Sequence, residues 1–163
     1  ATTMIPAQLV FLPVFLVLSK MGLINTYWSL ILPQATSAFG IFMLRQSFMQ
    51  IPKELIEAAR LDKAGEVKIM FKVMLPMCRS TVATLSLLTF IGSWNDYFWA
   101  KVLTTSDAVR TLPVGITALR DVDGGVANHI VMAGNLIMLL PILIAFIVAQ
   151  KQILKAFAYT GVK

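Results

Sequence analysis

Charge is scarce in this sequence. Of 163 residues only 13% are Asp, Glu, Lys or Arg, while 58% are hydrophobic; a soluble globular domain carries roughly 25% charged residues. The shortage leaves four runs with no charge at all, residues 1–19, 21–44, 80–95 and 124–150. A helix that crosses the ~30 Å hydrocarbon core needs about 20 mostly apolar residues. The run 80–95 reaches that length by continuing past Asp96 through Tyr97, Phe98 and Trp99. A soluble core made of four such runs would leave too little polar surface to face water. The expected fold class is therefore an all-α integral membrane protein with about four transmembrane helices in this chain.

Other absences narrow the chemistry. There is one cysteine, Cys78, which excludes an intrachain disulfide and reads as a small buried or interfacial residue. The one histidine, His129, has no Cys, Asp or Glu at ligand spacing in its own helix, so no metal site is expected. No GxxxxGK[ST] loop occurs, which excludes ATP binding by this chain, and no nucleophile–base arrangement is visible. The basic residues are not interleaved with aromatics in a patch, so the net charge of +6 does not point to nucleic acid. The first apolar run lacks a basic leader and a cleavage site and is not read as a signal peptide. A chain that opens on Ala is expected to be partial, with further spans ahead of it.

What charge there is has a pattern. Arg45, Lys53, Arg60, Lys63, Lys68, Lys72 and Arg79 lie in the middle segment, and Lys151, Lys155 and Lys163 in the tail. The other two connections hold only Lys20 in one, and Lys101, Arg110 and Arg120 in the other. The positive-inside rule places residues 45–79 and the C-terminus in the cytoplasm, and the alternation suits four spans. These are expected at 4–19, 26–44, 80–100 and 127–149. Pro6 and Pro13 share a face of the first, and Lys20, Gly22 and Asn25 mark an outer turn. Pro33 and Gln34 lie near the middle of the second, with Tyr27 and Trp28 at its outer end. The aromatics Trp94, Tyr97, Phe98 and Trp99 are expected at the outer end of the third, followed by an outer connection over 101–123. Pro141 lies inside the fourth.

The segment PKELIEAARLDKAGEVKIMFKVMLPM, residues 52–77, is the most charged in the chain. Pro52 suits a first helical turn and 53–62 are strong helix formers. Lys53 and Glu57 are spaced to pair. Leu55, Ala58, Ala59 and Asp62 share a face, Gly65 predicts the turn, and Val67, Met70, Phe71 and Met74 make a second amphipathic run that Pro76 ends. Two short helices with a bend between them follow. The small pair Ala58-Ala59 suits either close docking of another surface or a hairpin lying on lipid headgroups.

This segment closely resembles the EAA loop of the membrane-spanning subunits of ATP-binding-cassette importers. Glu57-Ala58-Ala59, Asp62 and Leu75-Pro76 fall on the register of that motif. The stretches FGIFMLRQSFMQIPKELIEAA and FIGSWNDYFWAKVLTTSDAVRTLPVGI and the ending KAFAYTGVK are similar to its carbohydrate-uptake branch, so the resemblance covers nearly all of residues 1–163. Two positions depart from it: Lys63 and Ala156 stand where the family commonly has Gly. The resemblance implies a permease transmembrane domain with a cytoplasmic coupling loop over 50–78. There Glu57, Ala58, Ala59 and Gly65, with Asp62, Leu75 and Pro76, would engage a partner ATPase. It implies cytoplasmic ATPase subunits that hold ATP and Mg, a second permease subunit, an extracytoplasmic solute-binding protein, a sugar substrate, and the bacterial or archaeal cell membrane as location. No cofactor is implied in this chain.

Candidates for a translocation path are Ser86, Thr89, Ser93 and Asp96, which recur at three, four and three and so share a helical face, with Trp94 and Asn95 beside them. Small hydroxyls also serve helix packing, and Trp94 suits either a sugar ring or the aromatic belt. Asp96 is read either in the path or in the outer headgroup zone. Asn128 and Asn135 share a face of the last span. Two other functions stay open at the level of residues: an ion-coupled secondary transporter using Asp96 or His129, and a membrane scaffold that docks a cytosolic protein without transport.

Overall fold

The computed structural model describes residues 6–119 and 128–160. Met4 and Ile5 of the first expected span, Arg120 with the end of the outer connection, Ala127 and Lys163 lie outside the described residues. Among the described residues every regular element is helical. The chain divides into two compact units, one made of Ala1–Ala38 with Ile91–Ile144, the other of Phe39–Phe90 with Ala145–Lys163.

In the first unit, a 3-10 turn over Ala7–Val10 leads into α1, Phe11–Lys20. Pro13 falls in its first turn, where a missing N–H costs nothing. Its end is a Schellman motif: Gly22, at φ +68°, donates to the Ser19 carbonyl and Leu23 to the Leu18 carbonyl, each at 3.0 Å. Asn25 also takes a left-handed conformation, φ +62°. Its side-chain oxygen accepts from the Thr105 and Ser106 backbone N–H groups at 2.6 and 2.9 Å and from the Thr105 hydroxyl at 3.0 Å. Its own N–H donates to the Leu103 carbonyl. One carboxamide thus fastens two connecting loops together.

α2 covers Tyr27–Gln34 and α3 starts at Ala38. Pro33 withdraws the donor that would have satisfied the Ser29 carbonyl, and the helix ends one residue later. α7, Arg79–Trp94, likewise stops short; the chain resumes as α8, Phe98–Leu103, and α9, Leu112–Ala118. Phe11 holds the start of α8, its ring 5.4 and 5.6 Å edge-on from Phe98 and Trp99. α10 runs from Asn128 to Thr160 through Pro141. At Gly134 a β-carbon would come within 2.9 Å of Ile116, so α9 packs here against bare backbone.

In the second unit α3, Ala38–Phe48, is followed by α4, Lys53–Leu61. A hydroxyl contact of 3.0 Å joins Ser47 on α3 to Thr81 on α7. α4 also ends in a Schellman motif, with Lys63 donating to Arg60 and Ala64 to Ala59. The left-handed residue is Lys63, φ +55°, whereas Gly65 is extended at φ −69°. Gly65 was expected to make the bend; Lys63 makes it, because the hydrogen-bond pattern of the helix end fixes which residue must turn. α5, Glu66–Ile69, passes through a π-helical turn at Met70–Met74 into α6, Leu75–Met77. Pro76 marks the end of this helix as expected, which stops one residue later at Met77. Lacking an N–H for the Lys72 carbonyl, the proline is accommodated by the wider π turn, and the chain bends by 87° at Cys78, which is buried.

The expected spans are therefore reshaped. The second and third are each split into two helices, and α10 extends past residue 149 to Thr160. Among the described residues only Asn128–Lys151 is a single helix long and apolar enough to cross a membrane.

Two outcomes follow. Asn25→Ala removes the acceptor of three donors and should cost about 1–2 kcal/mol, read as a lowered Tm of the purified protein in detergent; an unchanged Tm would show the loops to be held otherwise. Lys63→Gly relieves a left-handed side chain worth about 1 kcal/mol and should slow amide exchange of residues 62–65 about fivefold; faster exchange would contradict the assignment.

Candidate functional site

The breaks after α2 and α7 meet. Gln34, the last residue of α2, donates from Nε2 to Asp96 Oδ2 at 2.8 Å and accepts at Oε1 from the Ser93 hydroxyl at 2.9 Å. Asp96 Oδ1 accepts from the Trp99 N–H, at 3.2 Å, at the start of α8. These contacts bind one frayed helix end to another and leave a cavity of about 330 Å³ beside them. Gln34, Ser93, Asp96 and Thr111 provide its polar groups, and Leu30 and Ile31 are among its aliphatic lining. The Thr111 hydroxyl is buried and has no hydrogen-bond partner.

Gln34 is about 10 Å along α2 from Tyr27, at 1.5 Å per residue. Phe11, against which Phe98 and Trp99 pack, is about 14 Å along α1 from Lys20. Trp94 donates its indole N–H at 3.0 Å to the carbonyl of Met138, which is about 15 Å along α10 from Asn128. The aromatics Trp94, Phe98 and Trp99 were expected at the outer end of a span. Phe98 and Trp99 pack beside Phe11, and α8 turns back from there toward the Asn25 loop, where the Leu103 carbonyl accepts from the Asn25 N–H.

The expected path residues separate into groups. Ser93 and Asp96 join the cluster, while Trp94 is fixed against α10 and is not part of the cavity wall. Asn95 is exposed and donates to its own helix at the Ile91 carbonyl. Ser86 and Thr89 are exposed on α7, and Asn128, His129 and Asn135 are exposed on α10. Gln34 and Thr111 were missed as site residues. The signal for Gln34 was a polar side chain after proline in the middle of an apolar run; for Thr111 there was none. Among the described residues no three of His, Cys, Asp and Glu approach closely enough to hold a metal ion.

A second cluster lies on α4 and the turn after it. Glu57, Ala58 and Asp62 are exposed, and α4 buries no residue at all. Leu61 is 84% exposed. Lys53 and Glu57 do not pair. Arg60 Nε instead donates to Glu66 Oε1 at 3.0 Å across the left-handed turn. That hydrogen bond, followed by the charge of Glu66, raises the pKa of the Arg60 guanidinium above its ordinary value. Leu75 and Pro76 are half-buried, behind the π turn.

Comparisons with known proteins agree on one family. The chain is 37% identical over 161 residues to the arabinooligosaccharides transport system permease protein of Halalkalibacterium halodurans, covering 98% of this chain and 57% of that protein. It is 32% identical over 160 residues to the sn-glycerol-3-phosphate transport system permease protein of Brucella abortus, with the same coverage. A crystal structure of a bacterial ABC transporter involved in the import of the acidic polysaccharide alginate superposes with a TM-score of 0.72 at 29% identity, over 92% of this chain and 57% of the other. The chain thus spans little more than half the length of these relatives. Residues 1–158 match the family model of the binding-protein-dependent transport system inner membrane component, and the chain belongs to that family.

Proposed function

We propose that this chain is a membrane-spanning permease subunit of an ATP-driven importer, translocating a sugar or oligosaccharide delivered by an external binding protein. Two cytoplasmic ATP-binding-cassette subunits hold ATP and Mg and hydrolyse the nucleotide. A second permease subunit completes the path, and this chain is not itself an enzyme. The crossings are α1, the broken pair α2–α3, the broken pair α7–α8, and α10. Residues 45–79 and the C-terminus face the cytoplasm of a bacterial or archaeal cell. The Gln34–Asp96 cluster would then lie near the midplane of a ~30 Å core, a reading supported by its distance along α1, α2 and α10 from their ends; non-helical backbone is tolerated there only if it is covered by protein or lines a water-filled cavity. The candidate path comprises Ser86, Thr89, Ser93, Trp94, Asn95, Asp96, Asn128 and Asn135. The names of the relatives, arabinooligosaccharides and sn-glycerol-3-phosphate, support a polyhydroxylated cargo.

The observation that carries this reading is α4. It is an amphipathic helix that covers none of its residues, with Leu61 bare beside Glu57, Ala58 and Ala59. A face of that kind invites a protein partner, and small side chains let the partner approach the backbone. The Schellman turn at Lys63 and the Arg60–Glu66 pair brace the element against collapse. Glu57, Ala58, Ala59, Asp62, Gly65, Leu75 and Pro76 then form a rigid knob through which ATPase closure reaches α7 across the bend at Cys78.

The test is co-purification from membranes. Glu57→Lys should lower recovery of the ATPase about tenfold or more, since it reverses a charge at the proposed contact, and should abolish sugar-stimulated ATP hydrolysis. Equal recovery with both baits would remove Glu57 from the interface. Uptake should stop with vanadate and persist when a protonophore is added at constant ATP; the opposite pattern would make this an ion-coupled transporter.

A further inference from the structure

The cavity between the helix breaks has a chemistry of its own. Asp96 already accepts two hydrogen bonds, one at each oxygen, and a carboxylate has about four lone-pair sites, so roughly half of its accepting capacity faces the space. Ser93 gives its proton to Gln34 and keeps its lone pairs. Gln34 is locked in one orientation, nitrogen toward the carboxylate and oxygen toward the hydroxyl, and retains one N–H. The Thr111 hydroxyl is buried and unmatched; buried polar atoms without partners are uncommon and call for an explanation. Among the described residues no Lys, Arg or His contributes to the wall. The volume of about 330 Å³ falls in the range of small-molecule sites, roughly 300–1,000 Å³.

Resting on the permease reading above, we propose that this cavity is a sugar subsite in this subunit, that it takes neutral polyols, and that it excludes anionic ones. The groups left unpaired are mostly acceptors around one negative charge. Vicinal hydroxyls supply the donors that such a wall lacks, and one ligand oxygen accepts from Thr111 and the remaining Gln34 N–H. Leu30 and Ile31 cover the C–H face of the ring. A phosphate or uronate would place its charge beside the Asp96 carboxylate with no cation to offset it. A sugar donating to Asp96 competes with Gln34 for the same carboxylate, so loading the cavity loosens the tie between the two helix breaks.

The experiment is calorimetric titration of the permease pair with its ATPase in nanodiscs, with the binding protein omitted. The neutral probes are arabinotriose, maltotriose and xylotriose; the anionic probes are an alginate trisaccharide and sn-glycerol 3-phosphate. At least one neutral probe should bind, and each anionic probe should bind at least about tenfold more weakly, since two like charges then share the cavity. Asp96→Asn should weaken the neutral probe about tenfold, as loss of a charged acceptor does, and at the same time narrow or reverse the preference over the anionic probes. Thr111→Val is isosteric and breaks no hydrogen bond of the protein, so a folding defect does not explain its expected threefold to tenfold loss. No heat with any probe, a preference for an anionic probe, or unaltered affinities in both variants would overturn the subsite. ATP-driven uptake in proteoliposomes with the binding protein separates the two levels: uptake with an inert cavity sinks only the subsite, whereas no uptake of any probe sinks the permease reading and the subsite with it.

Discussion

Two helices break inside apolar runs here, and the polar side chains beside the two breaks are hydrogen-bonded to each other. The contact of Gln34 with Asp96 and Ser93 joins the end of α2 to the gap between α7 and α8. Asp96 uses its second oxygen to accept from the Trp99 N–H in the first turn of α8. Proline supplies the cause on one side, because Pro33 cannot donate to the turn before it. Without the side-chain bridge, a carboxylate and a carboxamide would lose their protein partners, at a cost beyond that of an ordinary neutral hydrogen bond because one of them is charged.

That constraint connects the parts proposed to work together. α7 begins one residue after the bend at Cys78 and ends two residues before Asp96. α7 runs from that bend to Ser93 at the cavity wall. The stiffness of α4–α6 has identifiable sources: the Schellman turn at Lys63, the Arg60–Glu66 pair, and the π turn that absorbs Pro76. In the other unit Asn25 fastens two loops together. What is left adjustable is the polar bridge, whose hydrogen bonds can be exchanged for those of a ligand without opening an apolar core.

Much of this was legible in the residues. The charge-free runs marked the apolar helices, and Glu57-Ala58-Ala59 with Leu75-Pro76 marked the family. Gly22 marked the end of α1. The breaks were harder to see, because an apolar run reads the same whether the helix through it is whole or interrupted; only Pro33-Gln34 and the Asn95-Asp96 pair hinted at them. The turn at Lys63 was hidden because Gly65, two residues on, is the residue that composition favours for a bend. Thr111 was invisible, since its role depends on a contact between segments that sequence periodicity does not encode. The tie of Trp94 to α10 was equally hidden: its position in the run gave no sign that the indole N–H would donate to the Met138 carbonyl.

The central claim is that the Gln34–Asp96 bridge borders a water-accessible space at mid-depth of the membrane. It is tested most directly by nitroxide labels at position 93 and, as a lipid-facing control, at position 137, on a Cys78→Ala background in the reconstituted transporter. The account predicts that collision with a polar nickel relaxant dominates at 93 and collision with oxygen dominates at 137, whose isoleucine is exposed on α10. Oxygen-dominated relaxation at both positions would place the bridge against lipid and contradict it.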